Sequence, residues 1–137
     1  MKVAAWIVFF SLLFTAPPTV ADVSRDADIE AVIEKQLSAF NADDFDAAFA
    51  FATPGIQQRF GSVRRFALMV VHRYPMVWRS KDTTYIGLEN LGTYSIQKVM
   101  ITDHQNAIHL LMYQMVRING QWRIGAVQLV PLSRYGT

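Results

Sequence analysis

The sequence predicts an α+β domain in which helices cover one face of a curved antiparallel sheet. Three observations carry that class. Apolar residues recur at three- and four-residue steps in the first half, from Ile29 to Phe40. After Pro75 the period changes to two, in runs rich in β-branched and aromatic residues. Between the last two runs stands Asn119-Gly120. That pair suits a type I′ hairpin turn, because both central positions of the turn need positive φ.

The first helix is predicted over 26–41, with Ile29, Val32, Ile33, Leu37 and Phe40 on one face and Glu30, Glu34, Lys35 and Ser38 left for water. Asp26 and Asp28 complement its positive amino end. A second, shorter helix begins at Asp43 or Asp44, carries Phe45, Phe49 and Ala52, and stops at Pro54-Gly55. Ser62 caps a third, which runs through Val63, Phe66, Met69 and Val70 to Tyr74. Pro75 closes it by biasing Tyr74 away from helical backbone. Strands follow over 85–91, 93–102, 107–118 and 121–130, with Asp103-His104-Gln105-Asn106 as the turn between the second and third.

Ahead of these elements Met1 and Lys2 precede an apolar run over 3–14, broken only by Ser11. Pro17 and Pro18 end the run, and the small residues Thr19 and Ala21 fit a signal peptidase. A membrane span needs about 20 apolar residues, and this run stops well short. The expectation is a signal peptide over 1–21, cleaved after Ala21, and one domain over 22–137 that is secreted or periplasmic with no stable membrane anchor. Removing Lys2 with the leader leaves 12 basic and 11 acidic residues, a net charge of +1. The pI of about 9.1 is therefore no argument for nucleic acid, since a nearly neutral chain gains little from counterion release. The chain has no cysteine, which excludes a disulfide scaffold, thiol catalysis and a cysteine zinc site.

A two-residue Asn119-Gly120 loop sets a register in which Tyr113 meets Ala126, Leu111 meets Gln128 and His109 meets Val130. With the earlier turn centred on His104-Gln105, Tyr94, Ile96, Lys98 and Met100 join the face of His109. Val99, Ile101, Ile108, Leu110, Met112, Val127 and Leu129 then fall on the other face. Both faces are mostly apolar. Helices can cover only one, so the other is expected to meet a second subunit.

Several stretches resemble a known family: Gln36-Leu37-Ser38-Ala39-Phe40, Asp43-Asp44, Ala47-Ala48-Phe49, Phe51-Ala52-Thr53-Pro54-Gly55-Ile56, Phe66-Ala67-Leu68-Met69-Val70, Tyr74-Pro75 and Gly120-Gln121-Trp122-Arg123-Ile124. Together they are similar to an uncharacterised family of secreted bacterial proteins, domain of unknown function 4864. More broadly, the Asp-Asp-Phe-Asp turn after a helix and the late Asn-Gly-Gln-Trp-Arg-Ile resemble the superfamily of nuclear transport factor, with ketosteroid isomerase and the SnoaL-like polyketide cyclases. The resemblance implies a cone-shaped fold with a central cavity, frequently dimeric. It does not imply catalysis, because this fold hosts enzymes, binding modules and dimerisation domains alike.

Acid–base enzymes of the cone type need a carboxylate or histidine in the cavity. Eight of the eleven acids lie between Asp22 and Asp46, and neither strand of the last hairpin carries one. The candidate pocket is His109, Tyr113 and Gln128, with Tyr94 on the same face. His109 could act as a base with Tyr113 as donor. The preferred reading is a satisfied core histidine, since no orienting carboxylate is evident beside it. His72 and His104 complete no metal-ligand spacing, so no metal is expected, and no motif asks for a cofactor. Residues 59–81 hold Arg59, Arg64, Arg65, Arg73, Arg79 and Lys81 and no acid. With Tyr74, Trp78 and Phe66 that block could dock an anionic ligand or membrane headgroups. The plainer expectation is that it faces the acidic first helices of the same chain and partly neutralises them.

The leading expectation is thus an exported, non-enzymatic domain that dimerises or holds a small apolar or mixed ligand in a cone cavity, without nucleic acid. The alternatives are a cofactor-free isomerase, cyclase or dehydratase using His109 and Tyr113, or a protein-interaction module using the free sheet face.

Overall fold

A computed structural model describes residues 15–17 and 20–132, with side chains described from Arg25 onward in the first helix. The predicted leader lies largely outside the described residues. Five helices precede four strands: α1 (Val20–Asn41), α2 (Phe45–Ala50), α3 (Pro54–Phe60), α4 (Val63–Arg73), α5 (Pro75–Trp78), β1 (Ser80–Asn90), β2 (Tyr94–Asp103), β3 (Ile108–Ile118) and β4 (Gln121–Val130). The strands form one antiparallel meander in the order β1-β2-β3-β4.

Helix α1 buries Ile29, Ile33, Leu37 and Phe40, the stripe its periodicity marks. It runs through the predicted span and extends it toward the amino end. Asp44 caps α2 by accepting from the Ala47 N–H at 3.1 Å, and Ser62 caps α4 by accepting from the Arg65 N–H at 3.3 Å. Two short helices depart from the expectation. Pro54 starts α3 instead of only ending α2: Thr53 accepts from the Ile56 N–H, and Pro54 occupies the first turn, where its missing N–H costs nothing. Pro75 likewise occupies the first turn of α5, which has no side-chain cap. Gly61, at φ 74°, ends α3 in the left-handed conformation.

Phe66 of α4 joins the helices, with Phe49 at 4.9 Å, Phe60 at 5.8 Å and Phe40 at 5.9 Å between ring centroids. The carboxyl end of α1 is tied to the start of the sheet by Arg79. Its guanidinium donates to the carbonyls of Phe40 and Asn41 and to both oxygens of Asp43, while the Trp78 indole donates to Asp43 Oδ1 at 2.9 Å. These bonds satisfy carbonyls that a helix end leaves without partners.

Two turns decide which side chains reach the core. Asn119 and Gly120 form the predicted tight hairpin, with φ of 51° and 78°. The β2–β3 connection is one residue longer than expected. Asp103 N–H donates to the Ala107 carbonyl at 3.0 Å, Asn106 lies between them at φ 63°, and Ile101 faces His109. That single residue turns β2 over: Ser95, Gln97, Val99 and Ile101 are buried, and Tyr94, Ile96, Lys98 and Met100 face outward. A second slip occurs in β4, where the register shifts at Gly125 and Tyr113 pairs with Val127, Met112 with Gln128. A Cβ on Gly125 would lie 3.0 Å from Val116 Cγ2, which suits this position to glycine. Beside the bulge, Ile124 exchanges hydrogen bonds with Phe51 and Thr53, so the α2–α3 link pairs with the edge of the sheet.

The core thus fills the space between the helices and the face made by Val99, Ile101, Leu111, Tyr113, Met115 and Ile124. The opposite face presents Tyr94, Ile96, Met100, Met112 and Val116, all half-buried, and Ile108, which is 49% exposed. Val99, Ile101 and Val127, expected on that outer face, belong to the core side because of the two register slips. No described helix packs on the outer face.

Candidate functional site

The four residues of the predicted pocket separate. His109 and Tyr113 share the helix-facing side of β3, but Gln128 is opposite Met112 on the outer face, displaced by the bulge at Gly125. Tyr94 is opposite Val116 on the same outer face, displaced by the three-residue β2–β3 loop.

His109 has a carboxylate partner, which the sequence reading lacked. Its Nε2 lies 2.9 Å from Asp103 Oδ2, across the turn. Asp103 Oδ1 accepts from the N–H groups of Gln105 and Ala107. The His109 hydrogen bond, followed by these backbone donors, holds the Asp103 pKa below its usual value of 3.8. An ionised carboxylate only accepts, so the Nε2 of His109 carries the proton and the pair clasps the turn. Tyr113 is fully buried, its hydroxyl meets no hydrogen-bond partner among the described residues, and burial raises its pKa.

The principal cavity is elsewhere, between the helical layer and β4. It encloses about 690 Å³ and opens to solvent. Its deep wall is apolar: Phe40 from α1, Phe66 and Val70 from α4, Val77 from α5, and Ile124 and Val127 from β4. Ala52, Gly125 and Ala126 leave room because none carries a large side chain. Gln36 is the buried polar group on the wall, and its amide donates to the Ala48 carbonyl at 3.0 Å. Tyr74 spans from α4 to the sheet, its hydroxyl donating to the Val127 carbonyl at 3.2 Å. Arg59, His72 and Arg73 stand on the exposed part of the lining, and no carboxylate lines the cavity.

One residue of the basic block pairs with the acidic segment that follows α1. Arg79 pairs with Asp43, and Lys81 donates to Asn106 Oδ1. Arg59, Arg64, Arg65 and Arg73 meet no carboxylate among the described residues. Neither His109 nor Tyr113 lines the cavity. The sequence reading did mark Phe66, Tyr74 and the arginines as one block. The resemblance implies a cavity, but not this lining, because Pro54-Gly55 reads as an ending while Pro54 in fact starts α3, which supplies one wall. Among the described residues, no group of His, Asp or Glu could hold a metal.

Helices laid on one face of a curved four-stranded antiparallel sheet make this a nuclear-transport-factor-like α+β domain. The chain belongs to the family Domain of unknown function (DUF4864), which matches residues 23–137. Its fold is similar to an NTF-2 like protein of unknown function from Shewanella oneidensis MR-1, with a TM-score of 0.55 at 14% identity, covering 77% of this chain and 98% of that one. It is also similar to the solution structure of a SEC-C motif containing protein from Rhodopseudomonas palustris, with a TM-score of 0.58 at 15% identity, covering 80% and 86% of the two chains. No curated protein matches this chain.

Proposed function

We propose that the chain is an exported, non-enzymatic domain that holds a small apolar or mixed ligand in the cavity between the helices and β4. The observation that carries this reading is the composition of the recess. About 690 Å³ of largely apolar space lies within the range of ligand sites, and its lining includes neither a carboxylate nor the His109–Asp103 pair. The leader expected over 1–21 from the sequence supports export.

The test is a screen of small apolar and amphipathic compounds by thermal shift, with hits mapped by backbone amide shifts. Shifts clustering at Phe60, Val70, Tyr74 and Val127 are expected. Shifts confined to Ile96, Met100 and Met112 would move the ligand to the outer sheet face and overturn the reading.

The outer face supports a second component, self-association. It is mostly apolar across β2 and β3, interrupted by Lys98 and Gln114, and covered by no described helix. A homodimer through this face is the reading we adopt, and a face reserved for a different protein is the alternative. Sedimentation of the pure protein separates them: a dimer supports pairing, and a monomer at high concentration favours the other partner.

A further inference from the structure

From the cavity assigned above, we infer that the occupant is an amphipathic anion, a single carboxylate on an apolar body, seated with its charge between Arg59 and Arg73. This inference rests on the ligand-binding reading and adds the class of ligand. Arg59 of α3 and Arg73 of α4 line the same recess from two helices, and both are exposed on it. Neither meets a carboxylate among the described residues, although ten acidic residues stand beside eleven arginines and lysines between residues 25 and 123. Arg79 by contrast holds Asp43, and Arg123 donates to the Ala50 carbonyl and to Gln121, whereas Arg64 and Arg65, also without a carboxylate among the described residues, do not line the recess. The same recess is lined by the apolar Phe66, Val70, Val77 and Ile124, which are buried where Arg59 and Arg73 are exposed. A neutral apolar ligand would use the wall and leave two cations facing it. A small inorganic anion would use the cations and leave the wall in water. A carboxylate with an alkyl or ring body satisfies both, because guanidinium binds carboxylate in a planar two-bond geometry and the body removes apolar surface from water.

The experiment compares decanoate with decanamide, which has the same shape and no charge, by calorimetric titration of the full domain below the concentration at which either aggregates. Decanoate is expected to bind about tenfold or more tightly than the amide, the size of a charge-assisted hydrogen bond. Arg59→Gln and Arg73→Gln, both at exposed positions, are each expected to weaken decanoate several-fold and leave decanamide unchanged. Amide shifts on binding should fall at Phe60, Tyr74 and Val127. Equal binding of acid and amide would overturn the anion assignment and leave the cavity reading standing. Binding of neither, or shifts confined to the outer sheet face, would overturn both. Acetate binding as tightly as decanoate would overturn the role given to the apolar wall.

Discussion

Two tyrosines of the sheet, Tyr113 on β3 and Tyr85 on β1, should respond to the same substitution with opposite signs. Tyr113 is fully buried, and its hydroxyl has no hydrogen-bond partner among the described residues. In the unfolded chain that hydroxyl is hydrated, so folding removes its water without replacing it. A buried, unmatched polar group costs about 1–3 kcal/mol. Tyr113→Phe keeps the ring and its packing against Gln97 and Val127, creating no cavity. The variant is therefore expected to be more stable by about 1 kcal/mol, the lower end of that range. Unfolding entropy of about 0.24 kcal/mol per K for a domain of this length converts this to a rise in Tm of about 4 °C. Tyr85 is the matched control. Its hydroxyl donates to Glu34 Oε2 at 2.8 Å and lies 3.3 Å from the Glu30 carbonyl, tying β1 to α1. Tyr85→Phe breaks that link and should cost about 1 kcal/mol. Urea unfolding with thermal melts by circular dichroism measures both. A Tyr113→Phe variant destabilised by as much as Tyr85→Phe would refute the reasoning, since it would reveal a hydrogen bond to the Tyr113 hydroxyl.

The acid limb of stability should follow two carboxylates. Hydrogen bonds from Trp78 and then Arg79 lower the Asp43 pKa, as His109 and the backbone donors lower that of Asp103. A folded value below the unfolded one stabilises fully above the ordinary carboxylate pKa and is lost as pH falls through the depressed value, so the loss should fall between about pH 5 and pH 1. The Asp43→Asn, Asp103→Asn double variant should start less stable at pH 7 and lose less on acidification, as read from melts across that range. Ser62→Ala removes the α4 cap and should cost about 1 kcal/mol in urea unfolding, with ligand affinity kept if the helix still forms. Met112→Lys, placed at the centre of the outer face, should convert a dimer to a monomer by sedimentation without lowering ligand affinity.

Much of the fold was legible because single residues decide it. Ile29, Ile33, Leu37 and Phe40 mark the buried side of α1 without ambiguity, and Asn119-Gly120 fixes one hairpin. The site was less legible because a strand has period two, and one inserted residue exchanges its faces. Asn106 in the left-handed region adds such a residue before β3, and the bulge at Gly125 adds another in β4. These two slips sent Tyr94 and Gln128 to the outer face. Asn106 offered a signal, since asparagine tolerates positive φ and a three-residue hairpin loop places such a residue last. Gly125, inside an otherwise continuous strand pattern, offered another. The Asp103–His109 contact needed the register itself, because it joins a turn residue to a strand residue six positions on.

The measurement that bears most directly on a ligand-binding role is native mass spectrometry of the protein purified from the cells that make it, under conditions gentle enough to keep a bound small molecule. The expected result is a mass above the bare chain or its dimer by one small organic acid per chain. That extra mass should be lost in the Arg59→Gln, Arg73→Gln double variant and retained in Met112→Lys. A bare mass for the native protein, together with no binding of any compound in the thermal-shift screen, would contradict it and leave the outer sheet face as the functional surface.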